Sequence, residues 1–253
     1  MLSSRIRSMG AAHWLFLFGS ILAGWIVLWL MAVPSDIREL GQIYGAEFWI
    51  SLCLATPDIT GYPSMFLMWA LMSAAMMLPT ALPAFATYDE LGESTEISFG
   101  RLVLGYLSVW LGFAAVAAAL QILLFQVGLL DGFGTSQSTV FSAVLLAIAG
   151  GYQFSPIKEA CLSKCRMPLT FFMENWEQGA LKMGFRLGAI CLGCCWALML
   201  LGFVGGVMSL GFMGLATVIM ILEKMPTIGK YISAPLGFAL LAASVLMLVT
   251  IFI

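Results

Sequence analysis

The chain has 253 residues, 62% of them hydrophobic and only 9% charged, with a net charge of −2 and a mean hydropathy of +1.02. A soluble domain is about half apolar and a quarter charged, so composition excludes a water-soluble fold, and the lack of any basic run excludes nucleic acid as a partner. The lipid bilayer is the expected solvent, and with little chain left between apolar stretches, residues 1–253 read as one integral membrane domain.

The first apolar run, 13–33, follows Arg5 and Arg7 and carries Trp14 and Trp29 near its ends. It is longer than the apolar core of a signal peptide, about 7–15 residues, and reads as a retained span. Further spans are expected at 64–84, 101–125 and 139–153, since about 20 apolar residues cross a hydrocarbon core about 30 Å thick. The run 184–222 is one long helix or two short ones. Gly202, Gly205, Gly206 and Gly211 cluster where a turn would need them, giving spans at 184–202 and 208–222. The last span is 235–253.

Basic residues select the count. With seven spans and a cytoplasmic N-terminus, one side holds Arg5, Arg7, Arg101, Lys158, Lys164, Arg166, Lys182, Arg186, Lys224 and Lys230, and the other holds Arg38 alone. Fusing the fifth and sixth spans would move Lys224 and Lys230 outside. Positive charge concentrates in cytoplasmic loops, so the expected fold is an all-α polytopic bundle of about seven transmembrane helices, N-terminus inside and C-terminus outside. Ile37, Leu40, Tyr44, Phe48 and Leu52 recur at helical spacing in the first outer loop, as in a segment lying along the interface. The acidic inner loop at Asp89, Glu90, Glu93 and Glu96 reads as solvated surface. The segment 168–183 is expected against the inner membrane surface, anchored by Phe171, Phe172 and Trp176.

Five of the six cysteines gather at one membrane face. Cys161 and Cys165 follow Ser155-Pro156, an N-cap and first-turn pair, on a short helix that should end near Met167, before Pro168. Lys158, Lys164 and Arg166 nearby would favour the thiolate, the metal-binding form. Cys191, Cys194 and Cys195 are three and four residues apart, so at least two of their sulfurs project to one side of the fifth span. Met68, Met72 and Met76 form a stripe four residues apart on the second span, flanked by Met65 and Met77. Thiolate and thioether together select soft metals, Cu(I) foremost and Zn as a lesser possibility. His13 is the lone histidine, so no haem or histidine-rich copper or iron site is expected. The bland alternatives are close packing at Gly184, Gly188, Cys191 and Cys195, and filler or lipid contact for the methionines. No Ser-His-Asp set, phosphate loop or nucleotide fingerprint is present, and the spans hold no acidic residue near their middle.

The stretches Trp69–Pro79, Gly151–Leu169 and Gly188–Met199 resemble a family of bacterial integral membrane proteins described as predicted metal-binding, of unknown function. The resemblance implies a bacterial cytoplasmic-membrane protein with a metal site in the second to fifth helices. The expected activity is binding of Cu(I) by Cys161, Cys165, Cys191, Cys194 and Cys195, with Met72 and Met76 as further ligands, in copper handling or as an accessory subunit of a membrane metalloenzyme. Expected partners are other membrane subunits or a copper enzyme. Two other readings stay open: a scaffold subunit without metal, and a membrane thiol–disulfide oxidoreductase, which the reducing compartment on that face disfavours.

Overall fold

The computed structural model describes residues 12–32, 61–91, 96–207 and 209–251. The expected interfacial segment around Tyr44, and Cys53, lie outside the described residues. The described chain is helical: α1 (Ala12–Ala32), α2 (Tyr62–Glu90), α3 (Glu96–Gln126), α4 (Thr139–Tyr152), α5 (Pro156–Arg166), α6 (Pro168–Asn175), α7 (Ala180–Leu200), α8 (Leu210–Lys224) and α9 (Gly229–Val249), with single turns at Trp176–Gln178 and Gly202–Gly205. An isolated bridge between Leu130 and Ser136 closes the α3–α4 connection. Five helices, α1, α2, α3, α7 and α9, are long and apolar enough to cross a membrane, and α4 with α5, bent by 61°, make a sixth if counted as one. The two expected spans that fall short are 139–153 and 208–222. Their helices, α4 and α8, have 14 and 15 residues, about 21–22 Å at 1.5 Å per residue.

Inside a bilayer, burial from water does not drive helix association, so close backbone approach matters. The α3–α7 seam shows it. A Cβ on Gly105 or Gly184 would overlap the facing helix's backbone, and one on Gly188 would sit 2.8 Å from the Tyr106 carbonyl oxygen. These glycines draw α7 onto α3 and set Tyr106 opposite Cys191.

Helix α2 contains Pro79 and Pro83. Pro79 has no N–H for the Ala75 carbonyl one turn back, and Trp25 Nε1 of α1 donates to that carbonyl at 3.0 Å instead. The same region of α2 is where α1 docks. At the other end of α1, Trp14 Nε1 donates to Asp89 Oδ2 at 2.8 Å, and His13 Nε2 lies 3.3 Å from the same carboxylate. Asp89 is thus a helix–helix tether and not the solvated charge expected from its acidic neighbours. Likewise Trp69 Nε1 donates to Gln121 Oε1 at 2.7 Å, tying α2 to α3.

The Ser155 cap forms as its sequence predicts. Its hydroxyl accepts from Ile157 N at 3.2 Å, Pro156 opens α5, and the helix stops at Arg166. Helix α6 departs from expectation. Phe171 and Phe172 are buried, and Phe172 and Trp176 pack on Tyr88 at the end of α2, ring centroids 5.3 and 5.7 Å away. Of the three expected anchors Trp176 is the exposed one, at 44%, and Leu169 and Met173 beside it are exposed as well. Between α7 and α8 the chain reverses at Gly206, whose φ of 88° suits glycine, and α8 returns toward α7 until Lys224 reaches Cys191.

Candidate metal centre

Cys191, Cys194 and Cys195 are buried on α7, and their sulfur atoms all lie within 4.8 Å of one another. Cys194 Sγ is 3.3 Å from Cys195 Sγ and donates to the Cys191 carbonyl at 3.1 Å. This group forms because the helical period turns positions 191 and 195 to one side, with 194 beside them. The stripe begun by Gly184 and Gly188 continues into Cys191, so packing and sulfur clustering are properties of the same face.

Around Cys191 the other helices supply polar groups. Tyr106 Oη of α3 is 3.0 Å from Cys191 Sγ and also donates to the Met77 carbonyl at 3.0 Å. Lys224 Nζ of α8 donates to Cys191 Sγ at 3.0 Å and to Thr80 Oγ1 of α2 at 2.7 Å. A cavity of about 20 Å³ opens here, lined by Thr80, Tyr106, Cys165, Leu187, Cys191 and Lys224 among others. That is room for one water-sized occupant.

The remaining sulfurs expected at the site fall at different distances. Cys165 lines the cavity and interacts with Cys194. Cys161 packs against Gly193, whose Cβ would stand 2.6 Å from its sulfur. Gly193 faces away from Cys191 on α7, so Cys161 stands outside the three-sulfur group. Met72 and Met76 are buried on α2, not lipid-facing. The methionine tied to the polar groups here is Met77, its sulfur 4.0 Å from Thr80 Oγ1.

The expected electrostatics of α5 is redistributed. Lys158, Leu162 and Arg166 recur at four-residue spacing and are the buried face of α5. Lys158 pairs with Glu223, while Arg166 donates to the Glu223 carbonyl and to Glu159. Neither cation serves the neighbouring cysteines. Burial pushes the Cys161 thiol above its ordinary range, against a smaller opposing pull from Lys164. The cation at the sulfurs is Lys224, which sequence reasoning counted only toward topology. Its signal was present: Met213, Thr217, Met220 and Lys224 repeat at spacings of four, three and four, and all are buried on one face of α8.

No curated protein and no solved structure matches the chain. The family described as PpoB2, copper chaperone, matches residues 66–247, a segment running from α2 into α9 and containing Cys161, Cys165, Cys191, Cys194 and Cys195. By that match, which spans well over half of its length, the chain belongs to the PpoB2 copper chaperone family.

Proposed function

We propose that the protein carries Cu(I) as cargo at Cys191, Cys194 and Cys195, near the inner face of the bacterial cytoplasmic membrane, and hands it to a copper-requiring membrane partner. The observation that carries this reading is the buried three-sulfur group, its sulfurs within 4.8 Å of one another, in a member of a copper chaperone family. Thiolates are soft ligands suited to Cu(I), and two or three suffice for it. The cavity of about 20 Å³ beside Cys191 and Cys165 leaves room for one small occupant next to the group. Cys165, on the cavity wall and partly exposed, is the exchange ligand between the buried group and the surface. Cys161 is a further surface-side sulfur, and Met72 and Met76 are secondary thioethers deeper along α2. In this reading α8 is a short sixth transmembrane segment and α9 a seventh, leaving the C-terminus outside. The return of Lys224 to Cys191 supports that path.

The test is anaerobic titration of the purified protein with Cu(I) against a chromophoric chelator, with X-ray absorption at the copper edge. Near-stoichiometric binding with a sulfur-only shell is expected. Replacing Cys191, Cys194 and Cys195 together by serine should abolish binding. Copper retained by that triple variant would overturn the assignment.

A further inference from the structure

Two cavities flank the beginning of α3, away from the sulfur cluster. The first, of about 470 Å³, is lined by Arg101 of α3 and Lys182 of α7, together with Tyr88, Trp176 and Gln178. The approach of Gly105 to Leu181, and of Gly188 to Tyr106, makes the two helices parallel neighbours, so both cations stand at the same end of the bundle. Among the described residues neither cation has an ion pair, and no carboxylate lines the cavity. The second cavity, of about 540 Å³, is a slot between α1, α2 and α3, walled by Phe16, Leu17, Val103, Leu104 and Leu107. Of its polar lining, Ser20 donates to the Phe16 carbonyl and His13 lies against Asp89, which leaves the slot apolar. Leu104 is one helical turn from Arg101, so the slot begins beside the charged cavity.

Both volumes are those of ligand-holding pockets, about 300–1,000 Å³, and together they set a chemical demand. A free anion would use the first and leave the slot empty, and a neutral hydrocarbon would use the slot and leave the cations unpaired. A molecule with an anionic head and a long apolar tail satisfies both. We infer that this end of the bundle binds one anionic phospholipid, its phosphate on Arg101 and Lys182 and one acyl chain in the slot between α1 and α3. The planar guanidinium matches a phosphate with two parallel N–H groups, and the ammonium adds a point charge. Basic pockets between transmembrane helices recognise lipid headgroups in this way. Leu181 and Phe185, 50% and 57% exposed on α7, offer the second chain an apolar surface. The bound lipid fills the gap between α1 and α3, and so holds the first helix to the bundle.

The experiment is native mass spectrometry of the full chain in detergent, offered phosphatidylglycerol and phosphatidylcholine with identical acyl chains. One phosphatidylglycerol should be retained, with at least about a fivefold preference over phosphatidylcholine, since each cation at a membrane surface contributes about that factor. Arg101→Gln with Lys182→Gln should abolish the preference, and either single change should lower it if the double variant does not fold. Lys230→Gln, which removes an exposed cation elsewhere, should leave it unchanged. Gly100 lines the slot, and a Cβ there meets nothing within 4 Å, so Gly100→Leu fills the slot without disturbing the helix. That variant should weaken phosphatidylglycerol retention by about fivefold or more, and excess inorganic phosphate should not displace the lipid from the wild type. Equal retention of phosphatidylcholine overturns the inference, as does a wild-type preference in the doubly neutralised variant. So does undiminished binding in Gly100→Leu, which would leave the slot unused, or displacement by inorganic phosphate, which would reduce the site to an anion pocket. None of these readouts depends on copper.

Discussion

Lys158 Nζ lies 3.0 and 2.9 Å from the two carboxylate oxygens of Glu223, and both side chains are about 1% exposed. The pair ties the helix bearing Cys161 and Cys165 to the helix bearing Lys224. Breaking one partner of a buried pair strands the other charge, at about 3–5 kcal/mol, whereas apolar replacement of both is near neutral. Lys158→Met or Glu223→Leu alone should sharply lower the thermal midpoint in detergent, and the double replacement should recover more than half of the loss. A double variant as unstable as the sum of the singles would show that the pair is not energetically coupled.

The cysteine series should be non-additive, because residues serving one ion fail together. Cys191→Ser and Cys195→Ser should each weaken Cu(I) binding by about a hundredfold, with the double change little worse than the stronger single. Cys161→Ser, whose sulfur lies against Gly193, should stay within about threefold of wild type. Chelator competition under anaerobic conditions reads all four. A Cys161→Ser loss equal to that of Cys191→Ser would move Cys161 into the group.

The α3–α7 seam predicts a steric defect with a distant readout. Alanine at Gly184 meets the Leu102 backbone, which cannot give way as a side-chain tip can, so about 1–3 kcal/mol should be lost. The Tyr106–Cys191 contact lies about two turns further along the same seam. Gly184→Ala should therefore weaken copper binding as well as stability, whereas alanine at Gly211, which meets nothing, should change neither.

Thiol reactivity supplies a pH test on α5, the short charged helix outside the five long spans. Burial raises the Cys161 thiol's pKa, outweighing the opposing influence of Lys164. The protonated, unreactive form therefore persists to higher pH than in a free cysteine. Alkylation of Cys161 by iodoacetamide should reach half its limiting rate at a pH above that of a cysteine model peptide. Replacing Lys164 by methionine should shift the profile further upward, and a downward shift would contradict the balance described.

The helical class, the Ser155 cap, the break near Gly206 and the clustering of Cys191, Cys194 and Cys195 were legible because each depends on residues near in sequence. A cap reaches three residues and a helical face repeats every three or four. The surroundings of the cluster were not legible. Nothing in the run ending at Lys224 says that its ammonium meets a cysteine 33 positions earlier. Nor does the spacing of Lys158, Lys164 and Arg166 reveal that two of them bond to α8 and leave Cys161 aside. Asp89 was misread for the same reason, its partners His13 and Trp14 being about 75 positions away. Long-range pairing depends on which faces the bundle turns together, and hydropathy does not encode that.

The tie between α5 and α8 has a consequence for biosynthesis. At 15 residues and with Glu223 and Lys224 at its end, α8 is too short and too charged there to partition into lipid by itself. Its two terminal charges find partners only on segments made earlier: Glu223 on Lys158, and Lys224 on Thr80 and Cys191. On the seven-span path proposed above, α8 therefore enters after the preceding helices, by docking on them. Deleting α5 would leave Glu223 without Lys158, and the last helix to arrive at the sulfur cluster is the one that brings it a cation.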